Sequence, residues 1–153
     1  MSCHPTATKS ASCALELIVP CSNGQHSSDT MTKRIMVADD NAPIRRALRT
    51  ILEFRKDWKV IGEAINGCEA IEKAKVLHPD LIVLDVSMPV MNGLDAARIL
   101  HRIMPAIPVI LCSLHANNVL ENQAASLGVT AVISKEQNMQ VLVKKASELL
   151  EAV

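Results

Sequence analysis

LIVLDVSMPVMNG, residues 81–93, is the stretch that decides the fold. Leu81 to Leu84 are apolar without alternation, as a strand requires when helices cover both of its faces. The run ends on one carboxylate, Asp85, and a helical pattern starts at Gly93 and continues to Met104. The same succession recurs on both sides. Strands are predicted at Arg34–Ala38, Lys59–Ala64, Leu81–Asp85, Pro108–Cys112 and Ala131–Ile133. Helices are predicted at Ala42–Phe54, Cys68–Leu77, Gly93–Met104, Asn117–Leu127 and Met139–Ala152. Consecutive βα units of this kind define an α/β fold on a parallel sheet.

Local signals agree with that division. In the last helix Met139, Leu142, Val143, Ala146, Leu149 and Leu150 form one stripe, with Lys144, Lys145, Glu148 and Glu151 elsewhere, so the stripe is assigned to the core. Gly128 is placed as a left-handed cap after the fourth helix, and the His78-Pro79 pair ends the second.

The bulk composition removes several function classes. With 153 residues and 49% hydrophobic content, the chain suits one compact domain with a short appendage. Lys plus Arg equals Asp plus Glu at 16 each, so no global field draws it to nucleic acid or an anionic membrane. Trp58 and Phe54 are the only aromatics, which argues against base stacking. Cys3, Cys13, Cys21, Cys68 and Cys112 are odd in number and lack CxxC spacing, which favours a reducing, cytoplasmic setting over a disulfide framework. Cys112, in an apolar run, reads as a small buried hydrophobe.

Residues 1–32 read as a disordered N-terminal extension, rich in Ser, Thr, Ala, Cys and His. Their Cys and His residues lack the paired spacing of zinc modules. Glu16 and Pro20 spoil a lipobox-like reading of the segment before Cys21. Met31 stands just before the first strand and is an alternative start. Residues 33–153 form the predicted domain.

Ligands of an open parallel sheet bind beyond the carboxyl ends of its strands, so the polar residues there carry the information. Asp39 and Asp40 follow the first strand, Asp85 ends the third, Ser113 the fourth, and Lys135 follows the fifth. Three carboxylates at one rim repel each other unless a cation joins them, and hard oxygen ligands suit Mg²⁺. On this reading Asp85, the central-strand carboxylate, attacks a phosphoryl donor and becomes an acyl phosphate. Asp39 and Asp40 hold the metal, Lys135 offers a charge to the phosphoryl oxygens, and Ser113 donates its hydroxyl. Asp40 taken alone could equally be a helix N-cap.

These residues stand in motifs: V-A-D-D-N at Val37–Asn41, L-D-V-S-M-P-V-M-N-G at Leu84–Gly93, L-C-S at Leu111–Ser113 and I-S-K at Ile133–Lys135. In order and spacing they closely resemble the response-regulator receiver family of two-component signalling. The resemblance implies a doubly wound, flavodoxin-like (βα)5 receiver fold with strand order 2-1-3-4-5. It implies Asp39, Asp40 and Asp85 as metal ligands, joined by the backbone carbonyl of Ser87. It also implies a histidine kinase or histidine phosphotransfer protein as donor, and a downstream protein met through the face of the fourth helix, fifth strand and fifth helix. The S-K-E ending and the M-P-V-M-N-G loop look most like receivers that precede a helix-turn-helix output domain. Here the chain stops at Val153, so the expectation is a stand-alone receiver that binds no nucleic acid directly and no membrane.

Three positions depart from the family pattern. Val132 stands where an aromatic switch residue is usual, Leu114 where a small side chain is usual, and Glu136 where proline is common. Leu114 is expected to narrow access to Asp85 and slow its exchange. The alternatives are a receiver-like module that no longer phosphorylates and an aspartyl-phosphate phosphatase. The phosphatase would need a second acid two residues after its nucleophile. Neither Asp39-Asp40-Asn41 nor Asp85-Val86-Ser87 supplies it, so a binding switch with weak self-catalysed chemistry is expected rather than an enzyme.

Overall fold

The computed structural model describes residues 31–152. The expectations of a disordered extension, an alternative start and an unused Cys/His cluster fall within residues 1–32 and, apart from its last two residues, lie outside the described residues. Five strands, β1 (Lys33–Ala38), β2 (Trp58–Ala64), β3 (Leu81–Asp85), β4 (Val109–Ser113) and β5 (Ala131–Ser134), alternate with five helices. These are α1 (Ala42–Leu52), α2 (Gly67–Leu77), α3 (Gly93–Ile103), α4 (Asn118–Ser126) and α5 (Met139–Glu151). All four pairings are parallel, in the order β2-β1-β3-β4-β5.

The sheet divides the core in two. Leu81 and Val83 of β3 face the side built by Leu48 and Leu52 of α1 and Leu142, Ala146 and Leu150 of α5. Ile82 and Leu84 face Ala70 and Ala74 of α2, Ala97 and Leu100 of α3, and Ala124 of α4. Period-two alternation therefore persists along β3, but both of its faces are apolar because both are buried. Val132 belongs to the second side, packed against its edge.

Each helix starts on an asparagine. Asn41, Asn66, Asn92, Asn117 and Asn138 accept, through their side chains, hydrogen bonds from the backbone N–H of Ile44, Glu69, Asp95, Leu120 and Gln140. A cap of this kind contributes about 1 kcal/mol. Asn41 caps α1, so Asp40 does not serve as the N-cap and its carboxylate is left for other use.

Element ends differ from the predicted ones for local reasons. Pro108 has no N–H for the ladder, so β4 begins at Val109, although the Pro108 carbonyl still accepts from Ile82 N–H at 3.1 Å. Pro105 restricts Met104, which caps α3 instead of extending it. Helix α1 stops at Leu52, which leaves Phe54 in the following turn with 87% of its surface exposed. His78 ends α2 in the left-handed conformation, φ 49°, rather than the extended one usual before proline. Gly128 adopts φ 87° after α4, as its type predicts.

Candidate functional site

At the carboxyl ends of β1 and β3, where the strand order reverses, the backbone turns away and leaves a cavity of about 300 Å³. Asp39, Asp40, Asp85, Ser87, Ser113 and Lys135 all line it, so every residue read from the sequence as part of the site meets there. Asn41, Ile44, Leu114 and His115 complete the wall.

Asp39 is fixed from several directions. Its Oδ1 accepts from Asn41 N–H at 2.9 Å, and its Oδ2 from Lys135 Nζ at 2.8 Å. Its backbone carbonyl accepts from the Arg45 guanidinium at 2.7 Å. Arg45 in turn pairs with Glu63 on the edge strand at 3.1 Å. Lys135 also reaches Asp85 Oδ1 at 2.9 Å, so one partly buried ammonium bridges two buried carboxylates. The Lys135 backbone N–H donates to the Ser113 carbonyl at 2.8 Å, which carries the lysine from the edge strand to the middle of the rim.

Oxygens of Asp39, Asp40 and Asp85 lie within 4.8 Å of one another. Two of these residues are buried and Asp40 is exposed, so the group offers anionic oxygens with one side open to solvent. That donor set fits a hard divalent cation that keeps some of its waters. Ser113 Oγ accepts from His115 N–H at 3.1 Å, which orients the hydroxyl and leaves its proton free to donate. Leu114 is 57% exposed at the mouth. Glu136 N–H donates to Ser134 Oγ at 3.1 Å, a bond that the proline usual at that position could not make.

Burial pushes the Asp85 carboxyl above its usual range; Asp39 adds to the rise, while Lys135 and the Ser87 N–H oppose it. A carboxyl raised in the folded state favours folding below its unfolded value of 3.8, and that contribution is lost as pH rises through the folded value. At neutral pH the ionised Asp85 therefore weighs against the fold. Asp85→Asn is expected to raise the thermal midpoint in metal-free buffer at neutral pH. The gain should shrink toward pH 4, and equal gains at both pH values would contradict this account. Burial also pushes the Cys112 thiol up to about 12, in keeping with a small buried hydrophobe.

Sequence reasoning passed over Arg45 and His115. His115 was detectable, because it lies two residues beyond Ser113 at a strand's carboxyl end. Arg45 was not, because its link to Asp39 depends on how α1 lies across β2.

Residues 35–147 match the model of the response regulator receiver domain, and the chain belongs to that family. It is 38% identical over 105 residues to the chemotaxis protein CheY of Thermotoga maritima, covering 69% of this chain and 87% of that one. It is 36% identical over 122 residues to a protein-glutamate methylesterase/protein-glutamine glutaminase of Methanosarcina acetivorans, covering 78% of this chain. It spans only 35% of that relative's length. Among solved structures, the receiver domain of the putative response regulator NarL from Mycobacterium tuberculosis superposes with a TM-score of 0.75 at 27% identity. That match covers 80% of this chain and 99% of the other. Among the described residues, no helix is long and apolar enough to cross a membrane.

Proposed function

We propose that this receiver accepts a phosphoryl group on Asp85 in a Mg²⁺-dependent reaction and signals by a conformational switch in the cytoplasm. The observation that carries the reading is the single Lys135 ammonium held between Asp39 and Asp85 beside a solvent-facing Asp40. Asp39, Asp40 and Asp85, with the backbone carbonyl of Ser87, would hold the ion, which when bound neutralises charge on the transferring oxygens. An Asp85 oxygen forms the new bond to phosphorus while the donor's bond to phosphorus breaks and its electron pair leaves with the donor. Lys135 then turns from pairing carboxylates to pairing phosphoryl oxygens, and Ser113 supplies its proton as a hydrogen bond.

The donor would be a histidine kinase or histidine phosphotransfer protein, and the output a protein that reads the face of α4, β5 and α5. Val132 has no ring to swing between two positions, so the switch relies on movement at Ser113 and repacking beside β5. The chemistry is acceptance and slow self-hydrolysis rather than turnover of a free substrate. Incubation with Mg²⁺ and acetyl phosphate, followed by intact mass, tests the reading on wild type and Asp85→Asn. One phosphoryl gained by wild type and none by the variant supports it. An adduct retained in the variant, multiple turnover of the donor, or no adduct in wild type would each overturn it.

A further inference from the structure

The loop from β3 to α3 contains backbone that its residue type does not favour. Val90 has φ 69°, in the left-handed region, where a β-branched side chain crowds its own peptide. His78 is the other described non-glycine residue with positive φ, and it sits at a helix end where that conformation is common. Val90 has no helix end to explain it. Met91 N–H donates to the Pro89 carbonyl at 2.7 Å and closes a three-residue turn around it. A γ-turn with positive φ at its centre is the rarer and strained hand. Val90 is also 80% exposed, so packing of its side chain does little to offset the strain.

The turn is fastened on both sides. The Met91 carbonyl accepts from Gly67 N–H, at the start of α2, at 2.9 Å. The fit there is close enough that a Cβ on Gly67 would meet the Met91 carbonyl oxygen at 2.6 Å. Toward α3, Gly93 N–H donates to the Val86 carbonyl at 2.8 Å. Ser87, which lines the Asp85 cavity, lies between Asp85 and the strained turn. The loop is thus pinned at Gly67 and Gly93, and Ser87 is the residue of it that lines the cavity.

We propose that the Val90 turn is a strained latch controlling how readily this loop opens beside Asp85. Strain at Val90 works against the Gly67–Met91 hydrogen bond and raises the population in which that bond is broken and the loop is released. Relieving the strain makes the open state rarer. Phosphoryl gain and loss at Asp85 then slow together, a consequence that rests on the function proposed above.

Val90→Asn keeps the left-handed turn at lower cost, because asparagine tolerates that conformation, and Val90→Thr keeps the β-branch as a control. In the full chain, hydrogen exchange of the Gly67 amide is expected to slow several-fold in Val90→Asn and to stay unchanged in Val90→Thr. The thermal midpoint of Val90→Asn should rise by a few degrees. Its phosphorylation by acetyl phosphate and its dephosphorylation should both slow by a common factor. An unaltered Gly67 amide in Val90→Asn would overturn the stored strain. A slower amide with unchanged rates would overturn the gating. If wild type takes no phosphoryl group, gating falls with the Asp85 reading, while the Gly67 amide still decides the strain.

Discussion

Lys135→Met is expected to lower the rate of Asp85 phosphorylation by about 10²–10³-fold, the usual loss when a preorganised partner of transition-state charge is removed. The same substitution should destabilise the metal-free protein, because it leaves the Asp39 and Asp85 carboxylates buried together without their shared cation. Breaking one side of a buried ion pair costs about 3–5 kcal/mol. Methionine keeps much of the lysine's length and apolar stem, so the loss reports charge more than packing. Burial opposes the Lys135 charge, but hydrogen bonds and proximity to Asp39 and Asp85 outweigh it and hold the ammonium above its usual 10.5. A group raised in this way stabilises the fold below its unfolded value, and that stability is lost as pH rises through the folded one. The gap between wild type and Lys135→Met should therefore be wide at neutral pH and close only in strongly alkaline solution. Mg²⁺ should narrow it too, since a cation that binds only the folded state stabilises by mass action. Urea melts with and without Mg²⁺ measure both effects; identical midpoints for the two proteins in metal-free buffer would show that the bridge carries no such charge burden.

The fold was legible because its signals are local. Unalternating runs such as Leu81–Leu84 mark strands buried on both faces, and the Leu142, Ala146 and Leu150 stripe marks the buried side of α5. The site was largely legible for a related reason. A residue at a strand's carboxyl end must come to the rim whatever the side chains do in detail, which is why Asp39, Asp85, Ser113 and Lys135 could be placed together. Ser87 entered only through family resemblance, since a backbone carbonyl leaves no trace in residue type. What stayed hidden depends on contact between distant segments or on backbone angles. The hold of Arg45 on Asp39 requires the lie of α1 over β2. The Val90 turn requires a φ value that valine gives no reason to expect. The five asparagine caps were readable in principle, yet Asp40 beside Asn41 drew the capping reading to the wrong residue.

Gly93→Ala is expected to unfold at markedly lower denaturant than wild type. On helix propensity alone the substitution should help, because alanine is favoured over glycine by about 1 kcal/mol inside a helix and Gly93 opens α3. The surroundings reverse that sign. A Cβ at this position would collide with the backbone carbonyl of Asp85 and come within 3.0 Å of Val86 Cα. Both are backbone atoms of a central strand and its exit, so neither can swing aside as a flexible side chain would. Overpacking of this kind costs about 1–3 kcal/mol, and a clash against fixed backbone belongs at the upper end. Relief would require α3 to lift or the end of β3 to shift. Either movement also strains the 2.8 Å hydrogen bond from Gly93 N–H to the Val86 carbonyl. Asp85 would move with its backbone, and a misplacement of about 1 Å at a reacting group can cost about 10²-fold in rate. Gly93→Ala should therefore lose stability and phosphorylation rate together, although the added methyl group touches no side chain of the site. Chemical denaturation alongside an intact-mass time course with acetyl phosphate reads both, and a variant as stable as wild type or more so would mean that helix propensity outweighs the contact with Asp85.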